Sequence, residues 1–251
     1  MSLVQVSEQS GIARVALNRG KVNALNEALV GELTSCFQEL ESDQSARAVI
    51  LTGQGKFFSF GFDIPEFLNY AKSDFERYLL SFTQLYTHLF LFPKPIIAAV
   101  NGHAIAGGCM LATACDHRIM VSGKARISLN EITFGASVFA GSVELLRCCV
   151  GHRNAERMLY SGAMYSAEQA QELGLVDLCC SPEELPGVAL SVAQEFGRKD
   201  SEAFKSIKIL LRGPIAEEIR KREKQSIREF MDIWYSEGTW KNLEEIKIHS
   251  Q

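Results

Sequence analysis

A chain of 251 residues with 47% apolar and 22% charged side chains has the make-up of a globular protein, long enough for one large core that needs neither disulfides nor metals. The formal net charge of −4, from 26 Lys and Arg against 30 Asp and Glu, argues against the clustered basic face of a nucleic-acid binder. Short basic clusters remain available for a small phosphorylated ligand. The seven cysteines, Cys36, Cys109, Cys115, Cys148, Cys149, Cys179 and Cys180, are odd in number, include adjacent pairs and lack C-x-x-C spacing. They are read as reduced core thiols of a cytoplasmic protein with no metal site. No signal peptide is expected at Met1-Ser2-Leu3, and the C-terminal His249-Ser250-Gln251 is not a peroxisomal address.

In chain order, Ile12 to Leu17 and Arg47 to Thr52 are predicted strands. Between them Leu25, Leu29, Leu33, Cys36, Phe37 and Leu40 recur at helical spacing, which gives a strand, helix, strand unit. The uncharged run Pro95 to Cys115 is long enough to span a bilayer, but Asn101-Gly102 and Gly107-Gly108 break it. A buried strand at Ile96 to Val100, a turn and a helix are predicted instead, with no membrane span. Ala125 to Leu129 and Leu175 to Cys180 are predicted strands, with helical stretches at Ser142 to Val150 and Asn154 to Leu159 between them. Ser166 with Gln169 forms a capping box for a further helix that Gly174 ends. After Ser181 strand signals cease, and Glu202 to Arg212 and Ile215 to Ser236 are predicted helices. The whole reads as an α/β core over residues 1–195 and a helical region over 196–251. Nine of the 15 phenylalanines lie between Phe57 and Phe92, either as core or, in part, as the lining of an apolar channel for an acyl chain.

Three local features bear on chemistry. In Phe57-Phe58-Ser59-Phe60-Gly61-Phe62-Asp63-Ile64 an apolar run ends at a Gly and a helix-capping Asp. This is either a plain strand-to-helix turn or a tight geometry that leaves the Phe62 N–H pointing into a cleft. Ala106-Gly107-Gly108 opens a helix, whose unpaired N-terminal amides stabilise negative oxygen, although many such junctions carry glycine without a ligand. Glu131 and Glu144 are the only charged residues from Ile127 through Leu146, with no local Lys or Arg. Apolar surroundings raise a carboxyl's pKa and suit it to general-base work, whereas an exposed strand end would leave Glu131 ordinary.

Taken together and in this order, the three features resemble the crotonase superfamily of enoyl-CoA hydratases and isomerases over essentially the whole chain. Further agreement lies in Asn18-Arg19-Gly20-Lys21-Val22-Asn23-Ala24-Leu25, in Lys94 through Gly102, in Cys115-Asp116-His117-Arg118 and in Gly162 through Val176. The resemblance implies a crotonase-like spiral of ββα units with a C-terminal α-helical trimerisation region, assembled as a homotrimer or dimer of trimers. It implies an acyl-CoA thioester substrate, with coenzyme A carried on the substrate and no separate cofactor. By matching motifs, the Phe62 and Gly107 amides would form an oxyanion hole. Lys21, Val22, Ala24, Phe60, Gly61, Asp63, Ile64, Ala106 and Gly108 would contact CoA or substrate, while Phe134 and Phe139 would close the acyl pocket. Lys56 could meet phosphates, and Lys208 could reach a neighbouring subunit's nucleotide.

Hydratases of this kind carry two catalytic glutamates. Here the first position is Met110, and only Glu131 is retained, in a Leu129-Asn130-Glu131 setting that resembles the Δ3,Δ2-enoyl-CoA isomerases. Adding water needs a group to activate it and a proton donor; moving a double bond needs one proton taken from C2 and returned at C4. The implied activity is therefore conversion of 3-enoyl-CoA to trans-2-enoyl-CoA with Glu131 serving both steps. The alternatives are a hydratase-like enzyme that compensates for Met110 and an acyl-CoA binder without catalysis. Phe139 stands where a dehalogenase branch of the superfamily has its Asp nucleophile, which argues against that chemistry.

Overall fold

In the computed structural model, which describes residues 2–247, the chain opens with a hairpin of strands β1 (Val4–Gln9) and β2 (Ile12–Leu17). Ser10 and Gly11 both take positive φ, as a two-residue turn between right-twisted strands requires. The Met1 start and the 249–251 terminus considered above lie outside the described residues. Strand β1 was not anticipated, because it is an edge strand with only Val4 buried and so lacks an alternating apolar face.

Helix α1 (Glu27–Ser42) follows as expected, capped by Asn26 and burying Leu29, Leu33, Cys36, Phe37 and Leu40. Three strand pairs then repeat one manoeuvre. The pairs are β3 (Ala48–Gly53) with β4 (Phe57–Ser59), β5 (Ile96–Val100) with β6 (His103–Ile105), and β7 (His117–Val121) with β8 (Ile127–Ser128). In each pair the first strand joins a six-stranded sheet ordered β1-β2-β3-β5-β7-β9, and the second joins a three-stranded parallel sheet ordered β4-β6-β8. Helices follow each pair: α2 (Ile64–Phe67) and α3 (Lys72–Leu91) after the first, α4 (Gly107–Ala114) after the second. After the third come a 3-10 turn (Glu131–Phe134) and α5 (Ala140–Ser161). This is the spiral of ββα units.

The chain ends through α6 (Ala167–Glu172), β9 (Leu178–Cys180), α7 (Leu185–Gly197), α8 (Ser201–Trp234) and α9 (Glu237–Glu244). Ser166 and Gln169 do form the capping box of α6. The strand expected from Leu175 begins only at Leu178, because Leu175 and Val176 close the preceding turn by donating to the Ala170 carbonyl. The two helices expected between Ser142 and Leu159 are one element bent at Gly151, where φ is +74°. Likewise α8 runs unbroken through Pro214; the carbonyl that loses its donor belongs to Leu210, which is 75% exposed, so water can satisfy it. The boundary drawn between residues 195 and 196 falls inside α7, whose Ala189 and Ala193 are buried on a helix that packs against β3, β5 and β7.

Within the described residues no helix is long and apolar enough to cross a membrane; Pro95 to Cys115 forms β5, β6 and α4. All seven cysteines are free, but only Cys36, Cys109 and Cys115 are buried core thiols; Cys149, Cys179 and Cys180 are partly buried and Cys148 is exposed. Lys208 is the clearest correction. It is 4% exposed, its ammonium lies 2.7 Å from Asp116, and Arg212 approaches the same carboxylate at 3.1 Å. Asp116 in turn accepts from Ile96 N at 2.8 Å. Lys208 therefore fastens α8 to the start of β5 and is not free to reach a nucleotide.

Candidate active site

A cavity of about 280 Å³ opens between the start of α4, the 3-10 turn and the end of α8. Glu131 stands in its wall as the first residue of the 3-10 turn, placed there because β8 ends after two residues. It is 9% exposed, and burial pushes its pKa up to about 7, slightly opposed by a hydrogen bond from its own backbone. Its Oε2 is buried and accepts no hydrogen bond among the described residues. Glu144, its twin in the sequence, is different: Arg147 and Arg222 pair with it at 3.0 and 2.9 Å. Arg147 lies three residues on in the same helix and Arg222 comes from α8, so Glu144 is paired both locally and through tertiary contact, while no ion pair forms at Glu131 among the described residues.

The two amides in question arise from two different strand ends. Leu25 N donates to Gly61 O at 2.7 Å and Asp63 N donates to Leu25 O at 2.9 Å, an isolated parallel bridge. That pairing uses the groups flanking Phe62, so the Phe62 N–H turns to the opposite side. Gly61 has φ +88°, and a Cβ there would lie 2.8 Å from the Ile105 carbonyl and 3.2 Å from Gly107 N. Only glycine fits. Ala106 holds φ +49° and ψ −119°, a conformation costing a non-glycine residue about 1–3 kcal/mol. This turn delivers Gly107 as the first residue of α4, where an amide has no intrahelical acceptor and the helix end carries partial positive charge. Neither Phe62 N nor Gly107 N donates a hydrogen bond among the described residues, and both residues line the cavity.

Of the other residues singled out, Phe60, Ile64, Ala106, Phe134 and Phe139 line the cavity, while Lys21, Val22, Ala24, Gly61, Asp63 and Gly108 do not. Asp63 is committed elsewhere: it caps α2 through Glu66 N and pairs with Arg19 at 2.7 Å. Gly108 serves packing, since a Cβ would come within 2.3 Å of the Ser59 carbonyl. Val22 O accepts from Phe60 N at 3.0 Å, which ties its loop to a cavity residue, and Lys21 and Lys56 are exposed. Most of the clustered phenylalanines are core: Phe75, Phe82 and Phe90 are buried along α3. Sequence reasoning missed Ile105, Asn130, Ser137, Phe230, Trp234 and Ile246, which also line the cavity. Asn130 adjoins Glu131 and could have been noticed; the last three arrive from α8 and the segment after α9, and no local signal marks them. Met110 lies in the wall, its Sδ accepting from Ser142 Oγ at 3.1 Å.

Chemically, a buried carboxyl beside an apolar cavity with two unpaired amides can move a proton next to a carbonyl. Fold and cavity together define an α/β protein of crotonase type. A family profile described as enoyl-CoA hydratase/isomerase matches residues 7–245, and the chain belongs to that family of acyl-CoA enzymes. It is 37% identical over 215 residues to the 2,3-dehydroadipyl-CoA hydratase of Escherichia coli (strain K12), covering 84% of this chain and 82% of that one. It is 29% identical over 243 residues to the mitochondrial enoyl-CoA delta isomerase 1 of Mus musculus, covering 96% and 84% respectively. The crystal structure of human mitochondrial delta3-delta2-enoyl-CoA isomerase superposes with a TM-score of 0.92 at 27% identity, over 97% of this chain and 96% of that one.

Proposed function

We propose that this enzyme converts 3-enoyl-CoA to trans-2-enoyl-CoA with Glu131 as its single proton carrier. Glu131 takes the C2 proton, the electron pair delocalises onto the thioester oxygen as a dienolate, and Glu131 returns the proton at C4 as the double bond forms between C2 and C3. The amides of Phe62 and Gly107 stabilise the oxygen; each such donor is worth about 2.7–4 kcal/mol of barrier. The observation that supports the reading is that Glu131, its pKa raised to about 7 by burial, is the one acid among the described residues lining a cavity whose wall also carries Met110. A base titrating near neutrality combines ionisation with proton affinity. Exposed Lys21 and Lys56, with the Val22 to Ala24 loop, are the proposed contacts for the CoA portion, and trimeric assembly in the cytoplasm belongs to the same reading.

Hydration is the second reading, favoured by the 37% identity to a hydratase. Incubation with 3-hexenoyl-CoA and with crotonyl-CoA separates them. Isomerisation of the first without hydration of the second supports the proposal; hydration of crotonyl-CoA with no isomerisation rejects it, and binding without turnover of either rejects both.

A further inference from the structure

Helix α9 lies across the turn that carries Glu131, and two of its side chains hold that turn by its backbone. Thr239 Oγ1 donates to the Gly135 carbonyl at 2.8 Å, and Asn242 Nδ2 donates to the Phe134 carbonyl at 3.1 Å. Gly135 ends the 3-10 turn that Glu131 begins, at φ +88°, and a Cβ there would lie 3.1 Å from the Thr239 hydroxyl, so the two segments meet closely. Ala136 N donates back to the Glu131 carbonyl at 3.0 Å, which closes the turn into a unit. On the inner face of α9 Leu243 is fully buried, and Ile246 just beyond it lines the cavity. An eight-residue helix is too short to persist on its own in water, so its place depends on these contacts.

We propose that Thr239 and Asn242 are positioning residues: through their two hydrogen bonds α9 latches the Glu131 turn against the cavity and shuts bulk water away from the carboxyl. This rests on the isomerase reading, in which the abstracted proton must stay on Glu131 until it is returned at C4. A carboxylic proton in contact with water would be exchanged first.

Burial, and no neighbouring charge on the elements packed around the turn, controls the ionisation of Glu131. From α4 comes the buried Cys109 thiol, held well above its ordinary pKa by burial and therefore neutral. From α5, Glu144 is paired with Arg147 and Arg222; from α8, Glu223 accepts from Gly141 N and Asp232 is exposed. On α9 itself Glu237, Lys241 and Glu244 are exposed.

The test uses Thr239→Val and Asn242→Ala, singly and together, with Thr239→Ser as the conservative control. Glu131 is titrated by carbon-13 NMR of its carboxyl, assigned by loss of the signal in Glu131→Gln, and solvent deuterium in the product is measured during turnover of 3-hexenoyl-CoA. In the double variant the midpoint should fall by about one pH unit as water reaches the carboxyl. Its kcat should fall about tenfold with KM little changed, and deuterium in the product should rise, whereas Thr239→Ser behaves as wild type. An unchanged titration in the double variant overturns the latch whatever happens to turnover. A shifted titration in an enzyme that isomerises nothing upholds the latch and overturns the isomerase reading instead. Should Thr239→Val fail to fold, the exposed Asn242 makes the titration of Asn242→Ala the deciding measurement.

Discussion

Ser142 holds Met110 in the cavity wall, the serine hydroxyl donating to the thioether at 3.1 Å, with both side chains buried. A residue from the first turn of α5 thus holds the thioether of Met110, the position at which the resemblance to hydratases implies a further acid. Replacing Met110 by Glu places a second carboxyl in the same low-dielectric wall. Like charges sharing a site raise each other's pKa. The acid limb of kcat/KM in Met110→Glu should therefore move above its wild-type position, and isomerase kcat at pH 7 should fall. A limb that stays in place would mean the new carboxyl does not share the site of Glu131.

Glu131→Gln should lower kcat by about 10² to 10⁴ while acyl-CoA binding is retained. The proposed mechanism requires the ionised base, so wild-type kcat/KM should rise through about pH 7. The check is a pH–rate profile of each, with binding measured by calorimetry.

Stability should respond in the opposite sense. Burial raises the Glu131 pKa from 4.5 to about 7, so the folded state binds the proton more tightly and stability falls as pH rises between those values. Glu131→Gln removes that dependence and should be more stable than wild type at pH 8 by up to about 3 kcal/mol, with the difference fading towards pH 4.5. Glu223, also raised to about 7 by burial, keeps a similar slope in both proteins. Denaturant unfolding at the two pH values reads the difference directly.

Gly61→Ala should be severe. The added Cβ would meet the Ile105 carbonyl at 2.8 Å in a backbone conformation with φ +88°, so the Phe62 amide must shift. Loss of one oxyanion donor alone predicts a fall in kcat of about 10² to 10³. Stopped assays on a protein whose folding is verified by circular dichroism test this, and near-normal kcat would remove Phe62 from the oxygen site.

Lys208→Met should destabilise the fold by about 3 kcal/mol, because Asp116 is left with only Arg212 as a cationic partner in a buried position. The kcat and the KM for acyl-CoA at 20 °C should stay within about twofold, as surface-independent structural pairs predict. A large rise in KM would restore Lys208 to the nucleotide site.

Much of this protein was written in local chemistry. The apolar spacing from Leu25 to Leu40 and the Ser166 and Gln169 cap act through helix periodicity and backbone geometry, so their consequences are legible from neighbours in the chain. The glycines at positions 61 and 108 could be noticed there, but the Ile105 and Ser59 carbonyls that require them are distant in sequence. What neighbours could not reveal was that Glu131 stays unpaired or that Glu144 gains a second partner. Arg147, three residues on, offers Glu144 a local partner, but Arg222 reaches it from α8, 78 residues away, and no cation reaches Glu131. Nor could they reveal that Lys208 is buried, that Phe230, Trp234 and Ile246 complete the cavity, or that α9 grips the Glu131 turn. Desolvation and ion pairing are sums over whatever surrounds a group in space, and the helices that supply those surroundings are brought in by packing from the far end of the chain.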